Sequence, residues 1–401
     1  MPNSLLEVEV AWQMIQEQLK SNDSESIALS EAVGRTLSSA VVSDINSPPF
    51  DKSLVDGFAI ANWFENGEPY SVIETVTAGM VPENSLEGSF ATRIMTGCPL
   101  PKGASGVVMV EESEEISEGK IKFSSAQFRE GQNILPEAKV IQKGQSLISS
   151  GERIEAHHVG ALAEFGLTNL DVFRKSRVSV LTTGDELVDP DQVPGPGQIR
   201  NSNASMLMAL AEAAGGEAEN LGIGRDNLDS LNEKIAKGLE SDVLVIAGGV
   251  SAGVLDLIPQ CLANNGVEQV FHKINLKPGK PLWFGKSRTG CLVFGLPGNP
   301  VSSLVCFKLF AEPAIRRLEN PDSEWMKSRS GELAEAFEVK GGRRTFWPVT
   351  VDQENQVPSV KPLSWKGSAD QVTFVQANGL VDLKGQNGLL EKGTPVSFIE
   401  F

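Results

Sequence analysis

Apolar residues at Leu5, Val8, Ala11, Trp12, Ile15 and Leu19 recur with the spacing of one helix face, which predicts a helix over 5–20. A shorter helix is predicted over 30–37, and Ser47-Pro48-Pro49-Phe50 then breaks the pattern as a linker does. From 51 to 140 the apolar runs shorten. Those at 59–60, 70–78, 90–96, 106–110 and 121–123 lie between glycine and proline, which predicts a small β module. Residues 156–165 return to a helical pattern and 170–173 to a strand-like one. Beyond Arg177, strand-like runs at 178–182, 219–223, 243–247, 267–273 and 291–294 are interleaved with helical patterns at 202–214, 227–240, 256–264 and 301–318. Such alternation predicts a mainly parallel sheet covered on both faces, with ligands at the carboxyl ends of its strands. After Pro321, runs at 332–339, 346–351, 357–361, 371–376 and 395–401 predict a closing β domain.

Composition narrows the classes. At 401 residues the chain exceeds one ordinary core, so two to four domains are expected. A net charge of −17 argues against nucleic-acid binding, which needs basic surface to displace counterions. The first ten residues carry Glu7 and Glu9 and no basic segment, so no secretory signal is expected. No apolar run is long enough for a membrane span. Cys98, Cys261, Cys291 and Cys306 are far apart, which predicts reduced thiols and a cytoplasmic protein. The adjacent pair His157-His158 has no zinc-ligand spacing.

Candidate chemistry concentrates in 243–305. An apolar run meets Gly248-Gly249-Val250-Ser251, a Lys277-Pro278-Gly279-Lys280 loop follows, and a second apolar run meets Gly295-Leu296-Pro297-Gly298-Asn299-Pro300. Glycine turns at strand ends let backbone N–H groups approach an anion, and the lysines add charge, so the stretch predicts a pocket for an anionic small molecule. Two charges 4 Å apart interact by roughly 4 kcal/mol near a protein surface. Distant acids are screened over about 8 Å, so local lysines outweigh them. Asp185 and Glu186 follow the first α/β strand and read either as Mg²⁺ ligands or as solvated acids of a turn. Ser251 and Asp256 read either as oxyanion and metal ligands or as an N-cap with a first-turn acid. Arg343-Arg344 is either a solvated pair or an anion contact from across an interface. The segments 51–59 and 93–97 are not promoted above turns by their residues alone.

Six ordered motifs then carry a resemblance. They are Asp-x-Ser-x-x-Asp-Gly-x-Ala (51–59), Arg-Ile-Met-Thr-Gly-x-Pro (93–99), Thr-Gly-Asp-Glu-Leu (183–187), Gly-Gly-Val-Ser-x-Gly (248–253), Lys-Pro-Gly-Lys-Pro (277–281) and Gly-Leu-Pro-Gly-Asn-Pro-Val-Ser (295–302). Together they resemble the molybdopterin molybdenumtransferases, the MoeA and gephyrin E-domain family, over nearly the whole chain. The resemblance implies a multidomain α/β and β fold in an elongated homodimer. Its parts would be a discontinuous N-terminal region over 1–46 and 141–175, an inserted β-rich module over 47–140, a MogA-like α/β domain over 176–320 and a C-terminal β domain over 321–401.

It further implies molybdenum insertion into adenylated molybdopterin, with Mg²⁺-dependent hydrolysis that releases AMP, and the molybdopterin adenylyltransferase as a possible partner. Carried onto matching positions, Asp185, Glu186, Asp226 and Asp256 would serve the metal. Ser251, Ser302, Lys277 and Lys280 would hold molybdate or phosphate oxygens, with Gly248, Gly249, Gly298 and Asn299 in the substrate-binding turns and Arg343 from the last domain. Glu186, Asp256, Lys277 and Lys280 would form the catalytic set, joined by Asp56 and Thr96 of the β module, from the other subunit.

The chain departs from the family pattern at several cleft positions. Leu135 through Val140 lose a basic residue and an aspartate, Pro259 replaces a lysine and Asn201 replaces a carboxylate. Ala247 stands where Thr or Ser is common, and Thr345 where an acid is usual. Two further readings therefore stand beside the insertase. One is a catalytically weakened paralogue that binds a pterin or nucleotide for regulation or scaffolding; the other is a CinA-like phosphoanhydride hydrolase.

Overall fold

The computed structural model describes residues 5–124, 127–250, 257–354 and 356–401. They form two compact units, Ile27–Leu170 and the combination of Met1–Ser26 with Asp171–Phe401.

The larger unit opens with α1 (Val8–Gln16), which buries Val8, Ala11 and Ile15 at helical spacing. The α/β part follows with β1 (Arg177–Thr183), α2 (Ser202–Ala213), β2 (Glu217–Gly224), α3 (Leu228–Gly238), β3 (Val243–Ala247), α4 (Ile258–Asn264), β4 (Val267–His272), β5 (Leu276–Lys277), β6 (Trp283–Ser287), β7 (Leu292–Leu296), α5 (Pro300–Cys306) and α6 (Glu312–Glu319). Its sheet runs β2-β1-β3-β7-β6-β4. The first four strands are parallel, whereas β6 is antiparallel to both neighbours. Strands β3 and β7 are buried along their whole length, and their unbroken apolar runs suit strands covered on both faces. Phe294, Phe307 and Phe310 are among the largest fully buried side chains of this core. Such burial contributes about 1.5–3 kcal/mol per side chain.

A π-helical turn (Phe307–Ala311) joins α5 to α6. Pro313 in the first turn of α6 cannot donate to the preceding turn, and the wider turn absorbs that loss. Residues 329–401 then build a closed barrel from β8 (Arg329–Leu333), β9 (Arg344–Asp352), β10 (Ser359–Pro362), β11 (Gly379–Asp382) and β12 (Pro395–Glu400), with α7 (Gln371–Gln376) before β11. Around the barrel the order is β9-β10-β8-β12-β11, and β11 pairs back to β9.

The smaller unit carries a six-stranded sheet in the order Gly106–Met109, Gly57–Ile60, Phe90–Ile94, Tyr70–Val76, Lys120–Phe123 and Ser113–Ser117. It also holds a helix, Ala156–Glu164, where the Glu155 N–H donates to His158 Nδ1 at 3.1 Å. Among the described residues no helix is long and apolar enough to cross a membrane.

Several expectations are corrected. The helix expected over 30–37 is only a 3₁₀ turn at Leu29–Glu31, and Gly34 at φ +83° ends any helical path. The strand expected over 371–376 is α7, capped by Asp370 Oδ1 accepting the Thr373 N–H. The single strand expected over 332–339 is two, Arg329–Leu333 and Phe337–Val339. The sheet contains β6, which was not foreseen, so two of its five pairings are antiparallel. The helix expected over 256–264 is described only from Ile258.

Candidate active site

The carboxyl ends of β1, β3 and β7 open into a cavity of about 680 Å³. Thr183, Glu186, Asn201, Asn203, Asp226, Gly248, Gly249, Gly298 and Asn299 all line it, which is the placement expected for a ligand on a parallel sheet. After β1 the chain turns at Gly184, φ +146°. A Cβ there meets the Glu186 carboxylate, which folds back over the glycine. Arg225 pins the same loop by donating from Nη1 to the carbonyls of Gly184, Asp185 and Leu187 at 3.4, 3.2 and 3.2 Å. The Asp226 N–H donates to Asp185 Oδ1 at 3.2 Å. Asp185 is thus occupied in holding the turn after β2, while Glu186 and Asp226 line the cavity.

Gly248 and Gly249 have φ of +103° and +64°. A Cβ on Gly248 lies 2.7 Å from the Thr183 carbonyl oxygen, and one on Gly249 lies 2.7 Å from Ile258 Cγ1. Glycine is required here on two counts, conformation and close approach. The Thr183 hydroxyl beneath this turn is buried without a partner. Asn201 is 2% exposed; its amide donates to Thr182 Oγ1 at 2.8 Å while its oxygen caps α2 through the Ala204 N–H at 3.2 Å. An aspartate there lacks the first donor, which gives this departure a structural reason. Pro259 likewise sits in the first turn of α4, where its missing N–H costs nothing.

A second cavity of about 430 Å³ adjoins the first, and Pro281 lines both. It is built by β5, a two-residue strand that pairs in parallel with β9, Leu276 opposite Arg344 and Lys277 opposite Thr345. That pairing brings Lys277 and Lys280 beside Arg343, and Ser302 on α5 completes the wall. Arg343 Nη1 donates to the Leu276 carbonyl at 3.0 Å, the Thr345 hydroxyl to the Arg343 carbonyl at 3.0 Å, and Lys277 Nζ to the Lys340 carbonyl at 3.2 Å. Thr345 is 3% exposed, so an acid in its place would be a buried charge. The loop after β10 adds Trp365, Lys366, Gly367 and Ser368, held by the Val301 N–H donating to the Ser368 carbonyl at 3.1 Å. Lys277, Lys280, Arg343 and Lys366 line this cavity, and among the described residues no carboxylate does. In a chain of net charge −17 this is a local reversal of sign.

Of the other expected site residues, Ser251 and Asp256 lie outside the described residues. Asp56 and Thr96 belong to the smaller unit, where Asp56 Oδ1 accepts both the N–H and the hydroxyl of Thr96 at 2.7 Å. Those two hydrogen bonds hold the Asp56 carboxyl below the ordinary aspartate range. Val140 is 68% exposed in that unit, and nothing in the structure explains it. Among the described residues no three His, Cys, Asp or Glu side chains cluster as a metal site. Sequence reasoning missed Thr183, Asn203, Arg225, Trp347, Trp365, Lys366 and Ser368. No pattern singled out the last three, which lie between the strand-like runs at 357–361 and 371–376.

Comparison with known proteins covers most of the chain. Residues 6–166 match the MoeA N-terminal region (domain I and II), 179–317 the probable molybdopterin binding domain, and 330–401 the MoeA C-terminal region (domain IV). A molybdopterin molybdenumtransferase from Bacillus subtilis is 31% identical over 389 residues, 95% of this chain and 90% of that protein. Another from Nostoc is 34% identical over 312 residues, 76% of this chain and 71% of that one. The crystal structure of a molybdopterin biosynthesis MoeA protein from Pyrococcus horikosii superposes with a TM-score of 0.87 at 30% identity, covering 99% of both chains.

Proposed function

The chain belongs to the molybdopterin molybdenumtransferase (MoeA) family, and from that premise we propose that its two adjoining cavities insert molybdenum into adenylated molybdopterin. The reaction releases AMP and is the last step of molybdenum cofactor formation. The observation that carries the assignment of residues is the β5–β9 pairing, which gathers Lys277, Lys280, Arg343 and Ser302 around one cavity that, among the described residues, no carboxylate lines. A tetrahedral dianion such as molybdate needs several donors fixed in advance, and lysine, guanidinium and hydroxyl groups on rigid elements supply them. Lys366 and the Ser368 hydroxyl extend that set.

The larger cavity is the reading's place for the phosphoanhydride. Its glycine turns at 248–249 and 298 let backbone approach the phosphates, and Asn299 and Asn203 border them. Mg²⁺ commonly takes one or two carboxylates together with substrate phosphates, and Glu186 and Asp226, lining one cavity, fit that need; Asp256 and Asp185 are the further proposed ligands. When bound, the ion would neutralise charge on the phosphates as AMP leaves. The chain's own part is to hold both anions in register. Arg225 fixes the acidic loop, the Lys277–Lys280 loop fixes the oxyanion, and attack comes from substrate atoms and water, so no side-chain nucleophile is required. Ser251 is assigned to oxyanion binding on its motif alone.

The weakened-paralogue reading is not favoured, since Asn201, Pro259 and Thr345 each hold a structural place. Expression in a bacterium lacking its own insertase tests the proposal. Restored molybdoenzyme activity at ordinary molybdate concentration is expected; a stable protein that restores none, even with excess molybdate, would overturn it. The homodimer, and a contribution of Asp56 and Thr96 to catalysis within it, are proposed on the same footing. Mixed dimers of Asp56→Ala and Lys280→Ala chains should regain part of the activity that each variant lacks alone, and no regain would count against the sharing.

A further inference from the structure

Two tryptophans line the cation cavity, and the proposed chemistry of its lysines leaves them unused. Trp347 on β9 and Trp365 in the loop after β10 meet at right angles, with ring centroids 5.0 Å apart and planes at 84°. Trp347 has a structural tie, its Nε1 donating to the Leu363 carbonyl at 2.8 Å. Trp365 packs against the main core, but its Nε1 is buried without a hydrogen-bond partner. As packing alone this is a poor choice, because a phenylalanine fills the same flat space without an unsatisfied N–H. Both rings are half-buried, so each keeps some surface for a visitor. The same loop carries Lys366 and Ser368 into the cavity. One wall is therefore aromatic and the others cationic, in a volume of about 430 Å³ that falls in the usual range of about 300–1,000 Å³ for small-molecule sites. Any oxyanion satisfies the cations. Only a flat group set beside an oxyanion uses the whole surface.

We propose that Trp365, backed by Trp347, is a specificity-determining residue that stacks the planar pterin ring of the substrate beside the lysines that hold molybdate, with the phosphoanhydride in the adjoining cavity. This rests on the transferase reading above and goes beyond it by naming the group that recognises the ring. Trp365 acts in binding and moves no proton.

The test uses the full chain and two variants, Trp365→Ala and Trp365→Phe. Pterin-6-carboxylate, a fluorescent flat anion, is the first probe, and its quenching on binding reports contact with an indole. Aromatic stacking of a base is lost on truncation with about a 5- to 150-fold fall in affinity. Trp365→Ala should therefore weaken the probe's binding and raise KM for adenylated molybdopterin by about that range, with kcat nearly unchanged. Trp365→Phe should weaken binding severalfold while its melting temperature stays level or rises, since an unsatisfied N–H has been removed. A merely structural tryptophan would give the reverse, a lower melting temperature with unchanged affinity.

Molybdate affinity, measured separately by calorimetry, should be the same in all three proteins. If the native chain binds molybdate and turns over, but Trp365→Phe matches it in probe affinity and quenching, the stacking proposal is overturned and the transferase reading stands. If the native chain neither binds molybdate nor turns over, the transferase reading fails, and the stacking proposal with it.

Discussion

Gly249 shows how one residue can be fixed by conformation and space at once. Its φ of +64° and the 2.7 Å separation between a built Cβ and Ile258 Cγ1 leave no room for a side chain. Gly249→Ala should cost about 1–3 kcal/mol through strain and overpacking. Urea unfolding would read this, and an unchanged midpoint would mean the turn is softer than its geometry implies. Lys280 lies at the opposite extreme, a side chain on a loop with function as its main constraint. Removing one charge-assisted hydrogen bond costs about 1.5–3 kcal/mol, or roughly 10- to 150-fold. Lys280→Ala should therefore weaken molybdate binding by that factor in calorimetry while the melting temperature stays put. Equal affinity in the variant would remove Lys280 from the cradle.

At the scale of elements, the acidic turn after β1 depends on a residue forty positions away. Arg225 donates to three of its carbonyls, so Arg225→Gln should loosen 184–187 and lower kcat. Molybdate affinity should stay unchanged, because the cation cavity shares none of these contacts. A loss of both together would mean that Arg225 supports the whole fold.

Elements also mark the limit of what the sequence disclosed. Strands β3 and β7 were legible because central parallel strands need unbroken apolar runs, and the glycines after β3 and β7 fell where such strands end. α7 was misread because Val372 and Phe374 flank the polar Thr373 as in a strand, and the helix buries no residue; Val372 and Val375 are 76% and 85% exposed. The informative residue was Asp370, the cap. β5 was not legible at all. A two-residue strand has no periodicity, yet its pairing with β9 across more than sixty residues is what brings Arg343 to Lys277. The motifs named the lysines; only the fold could add Lys366, Ser368 and the two tryptophans.

At the scale of the molecule, the chain carries a net charge of −17, yet one cavity is lined by four cations and, among the described residues, by no carboxylate. Arg174 forms a two-pronged pair with Asp242, at 2.7 and 3.0 Å, and Asp242 also accepts the Arg177 N–H at 2.7 Å. Burial pushes the Asp242 carboxyl up, but the Arg174 guanidinium and the Arg177 N–H outweigh it and leave the group below the usual range. Because the folded value is depressed, the stability it contributes is present above the unfolded value of about 4 and is lost as pH falls through the folded value. Asp242→Asn should lower stability at neutral pH and flatten its decline on acidification. Parallel pH–stability curves for the two proteins would contradict this.

The central claim is that one cationic cavity receives the metal oxyanion. Anomalous diffraction at the molybdenum edge, from crystals soaked in molybdate, tests it most directly. The account predicts a peak within hydrogen-bonding reach of Lys277, Lys280, Ser302 and Arg343, absent from crystals of the Lys277→Ala/Lys280→Ala variant. A peak elsewhere on the chain with that cavity empty, or one that persists in the variant, would contradict it.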